Sequence, residues 1–328
     1  MTSFPISPRQ PLRAPWTRDR LVHVRALALG CAIEPGTASS YSSALQSYLA
    51  FCKSHDFPID PTPDTLSFYI VFMCHHIKPN SVESYLSGIC NQLEPFFPGM
   101  RDSRRTRLVI RTLQGCKKMR ALGTVRKRPL ARTELCEITT FYSASSSYDD
   151  RLFVVLLLTG FHALLRLGEL VWPDKVVLQD YRKVILRNSV QLLPQGFAFS
   201  LPGHKADRFF EGSRVILQQN ATCDDPHHAF LDYLTSRDRI FPFNPELWLR
   251  SNGHIPTRSW FIRRLRHHFS SDVGGHSLRS GGATALAEAG VPPHIIQAIG
   301  RWASDAFQIY IRKHPVLLAA MLYGHRSV

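Results

Sequence analysis

The sequence predicts a mainly α-helical protein with one small antiparallel β-sheet, an α+β fold class, divided into two domains. Helical apolar periodicity runs through residues 16–122, whereas short alternating apolar segments interrupt the helical pattern beyond residue 175. A basic stretch at residues 123–130, which contains Gly123 and Pro129, separates the two patterns. At about 150 residues per domain, the 328 residues of the chain also favour two domains.

The first half of the chain starts without periodicity and then becomes helical. Residues 1–15 carry four prolines, so we expect a disordered arm. Apolar spacing then predicts helices over residues 17–31, 37–55, 62–77, 81–93 and 104–122. Thr37, Thr62 and Ser81 are predicted N-caps, because a hydroxyl can accept a hydrogen bond from the first turn. The first domain is therefore expected at residues 16–122, followed by a basic linker at residues 123–130.

The second half, residues 131–328, is predicted to contain the sheet and further helices. An apolar run at residues 152–158 predicts a buried helix that leads to Arg166 and, one turn later, to Glu169. Alternation predicts strands at residues 176–178, 184–186, 197–201 and 215–217, and the turn before the last of these carries Lys205. A buried helix that ends in an arginine and a carboxylate brings charge to the rim of a core.

A short C-terminal run combines an imidazole, a guanidinium and a phenol. His276 and Arg279 are three residues apart, and the small residues 280–283 suit the start of a closely packed helix. Arginine grips a phosphate because its planar fork matches two oxygens. Tyr310 and Tyr323 both follow in apolar helical patterns, and a tyrosine attacks a phosphate only where cations stabilise the developing charge. Each residue alone is ordinary, but their order along the chain indicates a phosphate-cleaving site.

The charge of the chain favours an anionic partner. The formal net charge is +15 at pH 7 and the sequence pI is about 9.8. Residues 101–132 contain twelve Lys or Arg and only one acidic residue, Asp102. Such a run is either a solvated helix face or a surface that follows a phosphate backbone, and the scarcity of acids favours the second. The predicted DNA-binding residues are Arg104, Arg105, Arg107, Arg111, Lys117, Lys118, Arg126, Lys127 and Arg128.

Cysteine and histidine usage gives no sign of a metal site. The seven cysteines form no Cys-x-x-Cys pair, which predicts reduced thiols and no structural zinc. Adjacent histidines such as His75 and His76 point apart on a helix. The sequence has no glycine-rich nucleotide loop, no signal-peptide pattern and no apolar run long enough for a bilayer. We therefore expect an intracellular protein that uses no metal and no cofactor.

Together, these motifs resemble those of the tyrosine recombinase (phage integrase) family over nearly the whole chain. The pattern Thr-Gly-x-x-x-x-x-Arg-x-x-Glu-Leu is similar to the motif of the first family arginine. The lysine in the turn resembles the β-hairpin lysine of the family, and His-x-x-Arg resembles its second arginine box. The matching residues, including the nucleophile, are Arg166, Glu169, Lys205, His276, Arg279 and Tyr310.

The fifth active-site position of the family falls within Gly300-Arg301-Trp302. This Gly-Arg-Trp form resembles Cre and the eukaryotic Crypton-type mobile-element recombinases more than the bacterial Gly-His form. Counting back from Tyr310 as in the Gly-His members selects Arg301, whereas matching by residue type selects Trp302. We favour Trp302.

The resemblance implies a two-domain DNA breaking-rejoining enzyme, with a core-binding DNA-binding domain at residues 16–122 and a catalytic domain at residues 131–328. The implied activity is site-specific recombination or integration through a 3′-phosphotyrosyl intermediate on Tyr310. The two arginines would hold the non-bridging oxygens, and Lys205 would protonate the departing 5′ oxygen. His276 would assist proton transfer, Trp302 would pack against the site, and Glu169 would orient its neighbours.

The implied partner is double-stranded DNA, on which such enzymes assemble as tetramers at paired sites without metal or nucleotide cofactor. The implied location is the nucleus in a eukaryotic host and the cytoplasm otherwise. Two alternatives stay open: a domesticated DNA-binding protein that has lost catalysis, and a type IB topoisomerase-like enzyme that relaxes DNA. The full set of matching positions favours catalysis, and the helical first half favours the recombinase.

Overall fold

The computed structural model of the chain describes residues 13–120, 127–203 and 212–302. The chain divides into two compact units, residues 1–124 and 125–328. The described residues are mainly α-helical, with a three-stranded antiparallel sheet in the second unit, so the predicted fold class is confirmed. Residues 1–12 of the disordered arm predicted at residues 1–15 lie outside the described residues. Within these ranges no helix is long and apolar enough to cross a membrane.

The described part of the first unit is built from helices around one core. The helices are α1 (Arg18–Cys31), α2 (Pro35–Ser54), α3 (Pro63–His76), α4 (Pro79–Leu93), α5 (Met100–Arg105) and α6 (Arg107–Met119). Tyr48, Tyr69 and Leu86 are among the buried side chains that α2, α3 and α4 bring together. Gly88 lets α4 lie close to α2, because a Cβ at this position would come within 2.9 Å of the Cα of Tyr41.

Only one of the three predicted N-caps is confirmed. The Thr62 hydroxyl accepts a hydrogen bond from the Thr65 amide at 3.2 Å and caps α3. The predictions for Thr37 and Ser81 are wrong, because proline is well suited to the first helical position and starts α2 and α4 two residues earlier. The helix predicted at residues 104–122 is also divided, since the extended backbone of Thr106 ends α5 before α6 begins.

The second unit combines helices and the sheet around a larger core. Its helices are α7 (Arg132–Tyr142), α8 (Tyr148–His162), α9 (Leu167–Leu170), α10 (Pro226–Ile240), α11 (Arg258–His268), α12 (Gly275–Glu288) and α13 (Pro293–Gly300). Its strands are β1 (Gln191–Leu193), β2 (Gly196–Leu201) and β3 (Ser213–Gln218), which pair antiparallel in the order β1-β2-β3. In the register of β2 with β3, Phe197 lies opposite Leu217 and Phe199 opposite Val215.

The strand predictions are confirmed only for β2 and β3. Residues 197–201 and 215–217 lie in β2 and β3, whereas β1 was not predicted. The strands predicted at residues 176–178 and 184–186 are wrong. Val176–Leu178 is a 3₁₀ turn, and Val184 is buried against Leu249 and Ile255 instead of pairing in the sheet. Val176 and Val177 are exposed, and Leu186 makes an isolated antiparallel bridge with Glu246 outside the sheet.

Helix α8 is the central element of the second unit. Every residue from Leu152 to Phe161 is buried, and α8 packs against α10 and α12. A Cβ at Gly281 or Gly282 of α12 would overlap the carbonyl oxygens of Leu130 and Phe161. The close packing predicted for residues 280–283 is therefore confirmed, and it brings Arg279 to the end of α8.

A disulfide joins Cys136 on α7 to Cys223, which lies just before α10, with their Cα atoms 5.2 Å apart. The expectation of reduced thiols is wrong for this pair. The two cysteines are 87 residues apart in sequence, and motif spacing does not reveal such a distant contact. In the parts of the chain that the structure describes, no group of His, Cys, Asp and Glu residues is arranged to hold a metal ion.

Candidate active site

Arg166 lies at the junction of α8 and α9, as the sequence predicts. Its backbone amide donates to Oε2 of Glu169 and its Nη1 to Oε1, both at 2.9 Å. The Glu169 side chain is 6% exposed and the Arg166 side chain 29%. A carboxylate that is held almost out of solvent thus orients the arginine fork while leaving it accessible.

Arg279 of α12 is almost completely buried, with 1% of its surface exposed. Its Nη1 donates to the carbonyl oxygen of Leu164 at 2.6 Å, and its Nη2 donates to the carbonyl oxygen of Gly300. The centre of the Trp302 ring lies 4.1 Å from the guanidinium carbon. Because a buried guanidinium requires such partners, Arg279 ties the α8–α9 loop and the end of α13 to α12.

Leu164 presents its carbonyl to Arg279 from a strained backbone conformation. Its φ of 51° is left-handed, which costs a non-glycine residue about 1–2 kcal/mol. The side chain is fully buried in a cluster with Ala283 and Ile296, and this burial offsets the strain. The surrounding packing therefore maintains a conformation that the isolated loop would avoid.

Arg301 follows α13 and also has a left-handed backbone, with a φ of 53°. Its Nη2 donates to the carbonyl oxygen of Ala163 at 3.2 Å and lies 3.9 Å from Oε2 of Glu169. Burial lowers the pKa of the Arg301 guanidinium; the Glu169 carboxylate opposes this shift and the charge of Arg166 adds to it. Two arginines thus share Glu169, and Arg279 binds the same loop one residue further along.

His276 is exposed in the first turn of α12, one turn before Arg279. The turn is closed by a hydrogen bond of 2.9 Å from the Gly274 amide to the Ser277 hydroxyl. Gly275 allows it to start against α9, because a Cβ there would come within 2.5 Å of the Leu167 side chain. The helix therefore carries an accessible imidazole and a buried guanidinium on the same face.

Comparison with known proteins identifies the fold. No protein-family model matches the sequence, and no curated protein matches it. The XerH site-specific recombinase, bound to a palindromic difH substrate in a post-cleavage complex, has a TM-score of 0.62 and 16% identity over 87% of this chain and 78% of that chain. The chain has the fold of the tyrosine recombinases. A dimer of λ integrase residues 75–356 bound to a COC′ core site has a TM-score of 0.57 and 14% identity, over 90% of this chain and 94% of that chain.

A third structure with the tyrosine recombinase fold is the Tn1549 transposon integrase in complex with transposon right-end DNA. It has a TM-score of 0.51 and 18% identity, over 81% of this chain and 85% of that chain. The resemblance inferred from the motifs is thus confirmed at the level of the fold, including its small sheet. The roles of individual residues in this recombinase fold stay predictions.

The described structure brings some predicted residues together and leaves others out. Arg166, Glu169, Arg279 and Trp302 converge on the α8–α9 loop. Lys205 and Tyr310 lie outside the described residues, as do Tyr323 and Arg126. Both candidates for the fifth position are at the site, since Trp302 covers Arg279 while Arg301 contacts Ala163 and Glu169. The preference for Trp302 stays a prediction.

The basic residues of the first unit form two groups. Those of the first group make ion pairs or hydrogen bonds with other residues of the same unit. Arg101 pairs with Glu94, with 2.5 Å between Nε and Oε1. Lys117 pairs with Glu83 at 2.7 Å, and Arg104 donates to the Ser87 hydroxyl at 3.1 Å. These cations already have acceptors within the protein.

The second group lies on one side of α6. Arg107, Arg111 and Lys118 are exposed, and their spacings of four and seven residues place them on one helix face, away from the buried Val109. No ion pair to these three cations occurs within residues 13–120. We call these three residues the basic face. Arg105, at the end of α5, is exposed as well.

The described cations of the predicted linker, Lys127 and Arg128, lie in the second unit and are bound by residues of that unit. Arg128 pairs with Glu134 at 2.7 Å and with Asp272 at 2.5 Å, and Lys127 donates to the Ser271 carbonyl. Hydrogen bonds from Ser270 and Arg128 lower the pKa of the Asp272 carboxyl to about 2. The charge of Arg128 is therefore balanced by the protein, which leaves its predicted DNA contact with less support than those of the basic face.

Sequence reasoning missed the backbone acceptors of this site. The carbonyls of Ala163 and Leu164 receive Arg301 and Arg279, yet a carbonyl has no signature in the sequence. Arg301 had a signal, because counting back from Tyr310 selects it as the alternative fifth position. Leu164 had none, since leucine is unfavourable in the left-handed region.

Proposed function

We propose that the protein is a site-specific DNA recombinase or integrase that breaks and rejoins double-stranded DNA through a 3′-phosphotyrosyl intermediate on Tyr310. The observation that carries this proposal is the convergence of Arg166, Glu169 and Arg279 on one loop of a tyrosine recombinase fold. The XerH, λ integrase and Tn1549 integrase structures with this fold are complexes with DNA.

The two arginines are proposed to bind the non-bridging oxygens of the scissile phosphate. Glu169 orients the Arg166 fork before any ligand arrives, and the Leu164 carbonyl does the same for Arg279. Donors that are oriented in advance stabilise the charge of the transition state without having to reorganise during the reaction. Each such donor contributes about 3 kcal/mol in comparable sites, or roughly a hundredfold in rate.

Burial of Arg279 has a consequence for DNA binding. The Gly300 carbonyl accepts a hydrogen bond from Nη2 of Arg279, and Trp302 covers the guanidinium. We therefore propose that the end of α13 shifts when the site receives DNA, because Trp302 covers the guanidinium and only 1% of the Arg279 surface is exposed.

The proposed chemistry conserves a phosphodiester at every step. The Tyr310 oxygen bonds to phosphorus as its proton passes to His276 or to solvent, the bond from phosphorus to the 5′ oxygen breaks, and Lys205 gives a proton to that oxygen. His276 assists proton transfer or binds the phosphate. A 5′ hydroxyl of a second strand then attacks the phosphotyrosine and restores the backbone, so neither ATP nor a metal ion is consumed.

The remaining parts of the proposal are supported by the sequence resemblance alone. We propose assembly as a tetramer on paired DNA sites, with residues 16–122 and 131–328 as DNA-binding and catalytic domains. A mobile element is the proposed origin. The nucleus is the proposed location in a eukaryotic host, and the cytoplasm otherwise.

The second candidate function is DNA binding without catalysis, and one observation favours it. Arg279 donates to two carbonyls of the protein and is 1% exposed, which is also how a purely structural arginine would be held. The two candidates differ in whether DNA becomes covalently attached.

A nicked suicide substrate distinguishes them. Candidate sites come from the genomic sequence that flanks the coding region, and the adduct is detected as a species resistant to denaturing detergent. The wild-type chain should form the adduct, whereas Tyr310→Phe should bind the same DNA and form none. DNA binding by the wild type without any adduct on these sites would favour the second candidate.

The leaving-group role of Lys205 has its own test. Lys205→Ala should cleave normal DNA poorly, but it should cleave a substrate with a 5′-bridging sulfur at a rate near that of the wild type, because a thiolate leaves without a proton. Equal losses on both substrates would assign Lys205 to binding.

A further inference from the structure

A buried carboxylate that the proposed chemistry does not use lies against His162, the last residue of α8. Asp224 is 0% exposed and belongs to the segment before α10. Nε of Arg132, on α7, donates to its Oδ2 at 2.8 Å, and the Thr222 hydroxyl donates to its Oδ1. Such a carboxylate is stable only when it is paired and hydrogen-bonded, and these contacts provide that pairing.

The imidazole of His162 provides a further contact to Asp224. Its Nε2 lies 3.1 Å from Oδ2 and 3.0 Å from the backbone carbonyl oxygen of the same residue. Both atoms are acceptors, so the proton of the ring must be on Nε2. Because the neutral ring already satisfies this geometry, His162 serves as a fixed donor.

His162 is the last residue of α8, and the active-site loop starts at the next residue. The carbonyls of Ala163 and Leu164 bind Arg301 and Arg279, and Arg166 follows two residues later. The left-handed Leu164 makes this loop strained, so neighbouring contacts must maintain its path. The His162–Asp224 contact is one of them, and it acts two residues before the strained Leu164.

The Asp224 side of this contact is itself held by α7. Cys223, the residue before Asp224, is bonded to Cys136, and Arg132 lies in the first turn of the same helix. A displacement of Asp224 would therefore have to break an ion pair or move α7. The imidazole consequently donates to an acceptor that is anchored independently of the loop.

We propose that His162 and Asp224 are positioning residues, which hold the loop so that its carbonyls receive Arg279 and Arg301 and Arg166 emerges beside Glu169. Neither residue contacts the reacting atoms. The catalytic consequence rests on the proposed recombinase function, whereas the effect on the loop does not. A displacement of about 1 Å in such a site can cost a hundredfold in rate, so a small movement of the loop is sufficient.

The test uses substitutions that differ in where they place a donor. In His162→Gln, the side-chain amide nitrogen can take the place of Nε2. In His162→Asn, the side chain is too short for its amide nitrogen to reach that position. His162→Phe keeps an aromatic ring but has no hydrogen-bond donor. Asp238→Asn is the control, because Asp238 makes comparable contacts to Arg187 and Arg237 in the same unit and none to the loop.

Two measurements on the full-length chain are made for each variant. The first compares the single-turnover rate of adduct formation with the affinity for DNA. Asn and Phe at position 162 should slow cleavage about 10- to 100-fold at unchanged affinity, and Gln should recover most of the rate. The second is amide hydrogen exchange in DNA-free protein, where Asn and Phe should speed exchange in residues 161–171 by 10-fold or more, while Gln and Asp238→Asn should not.

Each of the other outcomes contradicts either the positioning proposal or the proposed function. Exchange in residues 161–171 that matches the wild type in His162→Phe would show that the contact does not hold the loop. A cleavage loss of the same size in Asp238→Asn, or no recovery with Gln, would assign the effect to general destabilisation. If the wild type forms no adduct while the exchange pattern is as expected, the proposed function fails and the positioning of the loop stands.

Discussion

The basic face of α6 and the candidate active site hold their cations in opposite ways. On the basic face of α6, Arg107 and Arg111 are exposed and make no ion pair within the described part of the first unit. In the second unit, Arg279 is 1% exposed and its guanidinium donates to two backbone carbonyls. An exposed cation can follow a phosphate backbone and tolerates imprecise geometry, whereas a fixed guanidinium provides geometry at one place. Under the proposed function, the net charge of +15 would provide general DNA affinity and the fixed arginines would provide the chemistry.

The largest expected effect is at Arg279. Arg279→Ala should lower the cleavage rate about a hundredfold or more, because it removes a donor to the transition state worth about 3 kcal/mol. Arg279→Lys should recover little, since one ammonium cannot replace a fork that binds the Leu164 carbonyl and a phosphate together. Single-turnover cleavage measures both effects.

The matched substitution on the other unit is Arg107→Lys. It keeps a cation at an exposed position, so cleavage and DNA affinity should both stay within about twofold of the wild type. If lysine were tolerated at both positions, or harmful at both, the distinction between the two kinds of arginine would be wrong.

The next effect is the salt dependence of DNA binding. Replacement of Arg107, Arg111 and Lys118 by Gln should flatten the slope of log affinity against log salt by about 2–3 units, since each phosphate contact contributes about 0.9. The loss should be similar on specific and random DNA. Replacement of Arg101, Arg104 and Lys117 by Gln is the control, because these cations already bind acceptors of the protein.

The control triple should change the slope by less than about one unit. Equal flattening by both triples would mean that the basic residues act through overall charge alone. An unchanged slope in the first triple would make the basic face a solvated surface, and the DNA contact of the first unit would lose its structural support.

The sequence predicts the side chains of the site better than it predicts their surroundings. Arg166, Glu169 and Arg279 follow from motif spacing, because a side chain that does chemistry must be of a particular type. The Ala163 and Leu164 carbonyls that fix two arginines could not be predicted, because any residue offers a carbonyl. The disulfide of Cys136 was missed for a related reason, since a contact across 87 residues depends on the whole fold.

The secondary structure shows the same limit. The buried α8 follows from its continuous apolar run, and Thr62 caps α3 as predicted. At Thr37 the proline two residues earlier determined the helix start, a competition that N-cap preferences alone do not resolve. Residues 184–186 alternate like a strand, but Val184 is buried by side-chain packing and Leu186 makes only an isolated bridge with Glu246, which local alternation does not distinguish from pairing in the sheet.

A smaller effect concerns acid stability, in which the two units also differ. Among the described residues, Glu94 is the one carboxyl of the first unit with a lowered pKa, because of its hydrogen bond to Arg101. Seven carboxyls of the second unit have lowered pKa values: Glu134, Asp150, Asp174, Asp180, Asp224, Asp238 and Asp272. A lowered pKa contributes stability that is present above the ordinary pKa near 4 and is lost as the pH falls toward the folded value.

His162 also lowers the stability of the second unit as the pH falls, but it does so at a higher pH than the carboxyls. Burial lowers the pKa of its imidazole, so its contribution is present above about pH 6.5 and declines below it. We expect the second unit to lose stability first as the pH falls, slowly below about pH 6.5 and steeply below about pH 4. Hydrogen exchange resolved by unit over a pH series measures this order, and earlier unfolding of the first unit would contradict it.

The most direct measurement of the central claim identifies the residue that becomes attached to DNA. The adduct formed on the suicide substrate is digested with protease and nuclease, and the modified peptide is sequenced by mass spectrometry. The account predicts a nucleotide on Tyr310, joined through a 3′ phosphate, in the wild type and in His162→Gln. A nucleotide on Tyr323 or on any other residue, or one joined through a 5′ phosphate, would contradict it.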